Sequence, residues 1–320
     1  MLAVIFGVSA GVIFVFDNDF FSSNDIYEEF VNSDESVFWM ERIREKGGQK
    51  AYKDFAQIYL DLPNTKQHEK AHIFGEALYK TEGISGIVVC DSNYGFCCYH
   101  SFFGWALSEN GLEIMDKLDK ACIETYGNKG LGCQHGIGHG VLVELGRDNL
   151  GQALEECGEL NWKGPIGGCS SGVFMEYNFR TIDQGARRPL SEEGEYFPCD
   201  VVARKFKEAC YFEQPAWWAA QYLNDYSVVG RFCDELTELS HSQACFRGIG
   251  NVIAGNNGYN IPEISNQCAN MPDFETELLC IEGATWIVSN QQEYENTWRQ
   301  LCEPYEGEYL ERCLGSYYFI

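Results

Sequence analysis

The chain has 320 residues, 45% of them hydrophobic, and a formal net charge of −25 from 48 acidic and 23 basic side chains. That balance excludes nucleic acid and anionic lipid headgroups as main partners, because both are held by basic surface. The hydrophobic content excludes a disordered chain, and fifteen cysteines point to an oxidising compartment.

Residues 1–16 are apolar throughout, and Asp17-Asn-Asp19 ends the run. Sixteen residues fall short of the ~20 that span a bilayer as a helix. No Lys or Arg precedes them and no small-residue cleavage site follows. The segment reads as a signal anchor that ties the protein to a membrane. A retained piece of signal peptide and a buried N-terminal helix are the alternatives. Positive charge cannot orient the segment, so the cysteines do, and they put the body on the extracytoplasmic face. Residues 17–35, with Asp25, Glu28, Glu29, Asp34 and Glu35, read as an acidic stalk, and 36–320 as the folded domain.

From Ser36 to Leu62 an amphipathic helical pattern runs, broken at Gly47-Gly48. Val37, Phe38, Met40 and Ile43 form its first apolar set. Ala51, Phe55, Ile58 and Tyr59 form the second. Pro63 closes it, and a new helix starts near Lys66.

Beyond Cys90 the chain repeats. One column of cysteines is Cys98, Cys133, Cys169, Cys210, Cys245, Cys280 and Cys313; the other is Cys90, Cys122, Cys157, Cys199, Cys233, Cys268 and Cys302. Neighbours within a column mostly lie 33 to 36 residues apart, and members of the two columns pair at 11 or 12, except the first pair. A small residue often follows the first column at +3: Ser101, Gly136, Gly172, Gly248, Gly283 and Ser316. Such a period is the signature of a repeat architecture.

Each unit reads as two helices, with helix A at 134–146 and helix B from Asn149 to about Cys157 in the clearest one. The cysteine pair then spans the loop from helix B to the next helix A. Closing a loop of ~15 residues is worth about 3 kcal/mol in the chain-entropy model, and helices this short need such support. Fourteen cysteines as zinc ligands would need more partners than this spacing offers. One cysteine is left over. Cys98 keeps the column, so Cys97 is free, buried or bonded to another chain. The fold expected is all-α, about seven disulfide-stapled αα-hairpin repeats. The apolar tail 314–320 favours closure into an α/α toroid over an open solenoid, which needs polar caps. One unit is longer, and the excess falls in 178–198, as a lid or a tolerated insertion.

The stretch Cys133-Gln-His-Gly-Ile-Gly-His-Gly140 is unusual for a helix. Each glycine costs roughly 1 kcal/mol against Ala in a helix interior, which close backbone approach to a neighbour would offset. His135 and His139, four apart, would share one face. His68-Glu-Lys-Ala-His72 fits the zinc motif H-E-x-x-H, in which Glu69 would be the general base. His100 and His135 both sit two residues after a column cysteine, so they occupy equivalent places on adjacent inner helices. Later units hold Ser171, Phe212, Arg247, Glu282 and Gly315 there, a variation that suits a cavity wall. The candidate site is therefore His68, His72, His100, His135 and His139, suited to zinc, iron or copper. Glu69, Glu76, Glu144 and Glu176 are candidate bases or supporting groups. Histidines that merely hydrogen-bond between packed helices are the plainer alternative.

The run H-x-x-x-H-x-x-G, then C-x-H, then C-x-H-G-x-G-H resembles uncharacterised exported Cys/His-rich helical-repeat proteins of prokaryotes, over most of 66–320. That resemblance implies no reaction. The expected ring of helices is also similar to lanthionine-cyclase-like α/α toroids, at the level of fold alone, because the cysteines here are committed to bridges. Two functions stand. One is a membrane-anchored extracytoplasmic metal-binding protein, open to a metal-dependent enzyme. The other is a disulfide-stabilised scaffold for another envelope protein, docking through aromatics near Trp217-Trp218 unless these form a buried ridge.

Overall fold

The computed structural model describes residues 34–316, except 128–129, 159, 161–165, 183–185, 191–193 and 292–293. The expected anchor at 1–16, the tail at 317–320 and most of the acidic stalk lie outside the described residues. The last two residues of the expected stalk belong to a helix. Asp34 and Glu35 open the first helix, and Glu35 accepts hydrogen bonds from Tyr59 Oη and Lys70 Nζ. No described helix is long and apolar enough to cross a membrane.

The described residues form helices and no strand. In chain order the α-helices are α1 (Asp34–Lys46), α2 (Gly48–Ile58), α3 (Asn64–Glu82), α4 (Cys97–Asn110), α5 (Met115–Tyr126), α6 (Leu131–Leu145) and α7 (Leu150–Gly158). Then follow α8 (Cys169–Phe179), α9 (Lys207–Gln221), α10 (Tyr226–Asp234), α11 (Leu239–Asn256), α12 (Ile261–Cys268), α13 (Phe274–Ser289) and α14 (Gly307–Gly315). Helices α3, α4, α6, α8, α9, α11 and α13 pack each against the next in an unbroken series. Helices α5, α7, α10 and α12, of 8 to 12 residues, lie between them in sequence. Their apolar residues sit on one face, whereas α4, α6, α8 and α13 are buried on most sides. A helix buried on most sides belongs inside and a one-sided one outside. The series is therefore the core of the protein.

Seven disulfides staple this arrangement: Cys90–Cys98, Cys122–Cys133, Cys157–Cys169, Cys199–Cys210, Cys233–Cys245, Cys268–Cys280 and Cys302–Cys313. From the second pair onward each closes a loop of 11 or 12 residues. The bridge to Cys133 lies in the first turn of α6, which starts at Leu131 and not at 134. Cys97 is free and buried.

The glycines sit where inner helices touch backbone to backbone. A Cβ on Gly138 would lie 1.9 Å from Cys169 O, and one on Gly172 would lie 1.9 Å from His135 O. The same exchange recurs between Gly250 and Cys280 O, at 1.8 Å, and between Gly283 and Arg247 O, at 1.9 Å. Helix α9 breaks the small-residue column with Glu213, and α8 and α9 pack less closely than other neighbours. At the far end, Ser92 Oγ donates to Asn290 O, which joins the loop before α4 to the end of α13.

Trp217 and Trp218 are fully buried. Trp217 Nε1 donates to Arg188 O at 2.7 Å, Trp218 Nε1 to Glu195 O at 2.9 Å, and the Arg188 guanidinium lies 3.7 Å over the Trp217 ring. These aromatics are an interior ridge and offer no docking face, because their polar N–H groups find partners only inside.

Candidate metal centre

Three neighbouring inner helices carry the five histidines: α3 holds His68 and His72, α4 holds His100, and α6 holds His135 and His139. A spacing of four puts each pair on one helix face. Close contact of small residues brings the three faces together; a Cβ on Gly75 would lie 2.3 Å from Cys98 O, and one on Gly136 2.7 Å from Tyr99 Cβ. The imidazoles form one continuous row. Ring centroids are 5.1 Å apart from His68 to His72, 5.5 Å to His100, 4.1 Å to His139 and 4.9 Å to His135. His68 is half-buried and the other four are buried.

Two ligand groups emerge from this row. In His68, His72 and Cys97, and again in His100, His135 and His139, one potential ligand atom per residue lies within 4.8 Å of the others. Imidazole and thiol donors suit zinc, copper or iron; magnesium and calcium prefer oxygen.

Around the second group, hydrogen bonds select the tautomers. Glu176 Oε2 on α8 accepts from Thr181 N at 3.0 Å and from Thr181 Oγ1 at 2.5 Å. It lies 2.8 Å from His139 Nδ1. With Glu176 ionised, His139 Nδ1, which also lies 2.8 Å from Thr181 Oγ1, carries the proton and donates. Its Nε2 then bears a lone pair. That lone pair faces His135 Nε2 at 3.1 Å. A carboxylate behind a ring nitrogen orients the imidazole and raises its basicity toward a metal. Arg180, in left-handed conformation with φ 50°, ends α8 and turns the chain back so that Thr181 covers Glu176. The first residues of the long loop thus close over the site.

The first group is seated by a strained turn. Tyr94, Gly95 and Phe96 all have positive φ, at 57°, 66° and 63°. Two non-glycine residues in this region cost on the order of 1–2 kcal/mol each. The turn places Tyr94 O 3.0 Å from His68 Nδ1, and Cys97 Sγ 2.7 Å from the same nitrogen. His72 Nδ1 pairs with Ser101 Oγ at 2.8 Å.

Burial sets the charge state of the site. It pushes His72, His100 and His135 well below the ordinary histidine range, His68 below it, and His139 down to about 3. The rings are neutral and ready as ligands. Burial pushes the Cys97 thiol well up, so a thiolate there needs a cation beside it. The Glu176 carboxyl is raised by burial to about 7, against the pull of its bonds from Thr181 and Ile182.

The candidate acids separate cleanly. Glu69 is half exposed and pairs with Lys66 at 2.7 Å. Glu69 belongs to neither ligand group. Glu76 is buried against Lys80, at 2.8 Å, and Glu144 is exposed. Glu176 alone of the four meets a histidine. Cys97, Ser101 and Thr181 join the site without having been singled out as site residues by sequence. Cys97 had one signal, as the cysteine left over beside a paired one. No protein-family model, curated protein or solved structure matches the chain.

Proposed function

We propose that this is a membrane-anchored, extracytoplasmic metal-binding protein whose transition-metal ion is held by His100, His135 and His139, with Glu176 bracing His139. One observation carries it: the 3.1 Å between His135 Nε2 and His139 Nε2. The N–H of the His139 ring is directed to Glu176. The two nitrogens can share at most one proton in this buried site, and a cation in the place of that proton would bind both lone pairs. Two nitrogens each 2.0–2.1 Å from one tetrahedral zinc stand about 3.3 Å apart. Zinc, iron and copper all accept imidazole.

Three protein ligands leave a coordination position for water, the pattern of catalytic metal sites. Glu176 is turned toward the back of His139, so it supports the ligand and does not take the proton of that water. Since the rings are buried, chemistry on this centre would act on a small molecule. The helical series is proposed to close as an α/α toroid around these inner faces, supported by the Ser92–Asn290 hydrogen bond. The extracytoplasmic location is supported by the seven disulfides, and the anchor by the apolar run at 1–16. Resemblance to exported Cys/His-rich proteins agrees with both.

The test is metal analysis of untagged protein purified from an oxidising compartment, beside the double variant His135→Ala/His139→Ala. At least one ion per chain is expected, with one lost in the variant at unchanged circular dichroism. Metal-free wild-type protein that takes up none on titration, or a folded variant with the full content, overturns the proposal.

A further inference from the structure

We infer that His100 bridges two metal ions, one held with His68, His72 and Cys97, the other with His135 and His139. This rests on the metal-binding proposal and adds to it a second ion and a bridge. Every other histidine of the row spends a ring nitrogen on the protein. His68 Nδ1 meets Tyr94 O, His72 Nδ1 meets Ser101 Oγ, His139 Nδ1 meets Glu176, and His135 Nε2 meets His139 Nε2. Each keeps one nitrogen for a metal and is a terminal ligand.

His100 spends neither. Its Nδ1 and Nε2 are both buried without a hydrogen-bond partner among the described residues, on a side chain only 2% exposed. Leaving buried polar atoms unpaired is costly, and native proteins leave few of them so. The ring stands between the two groups. Its centroid is 5.5 Å from His72 and 6.4 Å from His68 on one side, and 4.1 Å from His139 and 5.8 Å from His135 on the other. An imidazole has one nitrogen for each side. On binding the second ion it gives its remaining N–H proton to solvent and becomes an imidazolate.

Charge favours the same arrangement. Two buried divalent ions need anions near them. The Cys97 thiolate and the His100 imidazolate would supply two negative charges, and Glu176 a third when ionised. The ligand sets then differ in kind. The ion at His68, His72, Cys97 and His100 has four protein ligands and is closed, as in structural sites. The ion at His100, His135 and His139 has three and keeps an open position.

The experiment is zinc titration by calorimetry and chelator competition, on protein with its disulfides formed. Wild type should bind two ions. His68→Ala/Cys97→Ser should keep one, and so should His135→Ala/His139→Ala. His100→Ala should weaken both sites, each by at least about 100-fold, beyond the range expected for a supporting residue. A folded His100→Ala variant that weakens one site alone overturns the bridge. A crystal structure of zinc-loaded wild-type protein serves where that variant fails to fold. Two zinc ions, each about 2.1 Å from a different nitrogen of the His100 ring, are expected. A single ion at His100, His135 and His139 overturns the bridge and leaves the metal-binding proposal standing; no ion overturns both.

Discussion

Glu176 on α8 accepts a hydrogen bond from His139 Nδ1 on α6 at 2.8 Å, so a carboxylate in one repeat sets the tautomer of an imidazole in the repeat before it. Both side chains are buried, and Thr181 closes over the pair. Glu176→Gln keeps an acceptor but removes the charge. It should lower metal affinity about 10-fold and Glu176→Ala about 100-fold, the usual range for such supporting groups. Competition with a chelator of known affinity measures this. Unchanged affinity in both variants would remove Glu176 from the site.

Gly138 and Gly151 make opposite predictions for the same substitution. A Cβ at Gly138 would sit 1.9 Å from the Cys169 carbonyl, a backbone atom that cannot step aside, whereas nothing lies within 4 Å of one at Gly151. Gly138→Ala should destabilise by about 3 kcal/mol or more, at or above the usual cost of overpacking. Gly151→Ala, in the exposed part of α7, should stabilise by roughly 0.5–1 kcal/mol. Urea denaturation of both variants checks the contrast.

Glu213 gives a pH dependence with a definite sign. It is 3% exposed, and burial raises its carboxyl from 4.5 to about 8, with a hydrogen bond from Ser171 pulling the other way. The folded state therefore holds this proton more tightly than the unfolded chain. Its stabilising contribution is complete below about 4.5 and is lost as pH rises through about 8. The full span is on the order of 5 kcal/mol. Glu213→Gln should match wild type near pH 5 and exceed it in thermal midpoint at pH 8–9. Parallel midpoint curves for the two proteins would contradict the assignment. Glu176 titrates in the same direction, which is why the comparison with the Gln variant isolates Glu213.

The Cys122–Cys133 bridge closes 11 residues between α5 and the first turn of α6. Replacing both cysteines by Ala should cost about 2–3 kcal/mol. His135 lies two residues beyond Cys133, so metal affinity should fall as well. Denaturation midpoints and a zinc titration report the two effects separately.

Much of this protein is legible without coordinates. Two cysteine columns in step identify the pairing, because a bridge across each interhelical loop is the repeated contact that short helices need. Histidines at the same place after Cys98 and Cys133 identify one wall, because equivalent positions in adjacent repeats face alike. The glycines around His135 announce close backbone contact before its partners are known.

The remainder depends on contacts between residues distant in sequence. H-E-x-x-H reads as a zincin motif, yet Glu69 pairs with Lys66 and belongs to neither ligand group. The pair Trp217-Trp218 is an ambiguous aromatic run until Arg188 and Glu195 fold back to accept its N–H groups. Cys97 is only the odd cysteine until the left-handed turn at Tyr94–Phe96 sets its sulfur against His68. Sequence alone determined an all-helical, disulfide-stapled chain with five candidate ligands, since periodicity and spacing are local properties. Which ring nitrogens are free, which carboxylate reaches them, and that His100 stands unpartnered between two groups were decided by tertiary packing, which alone brings α3, α4, α6 and α8 within hydrogen-bond distance.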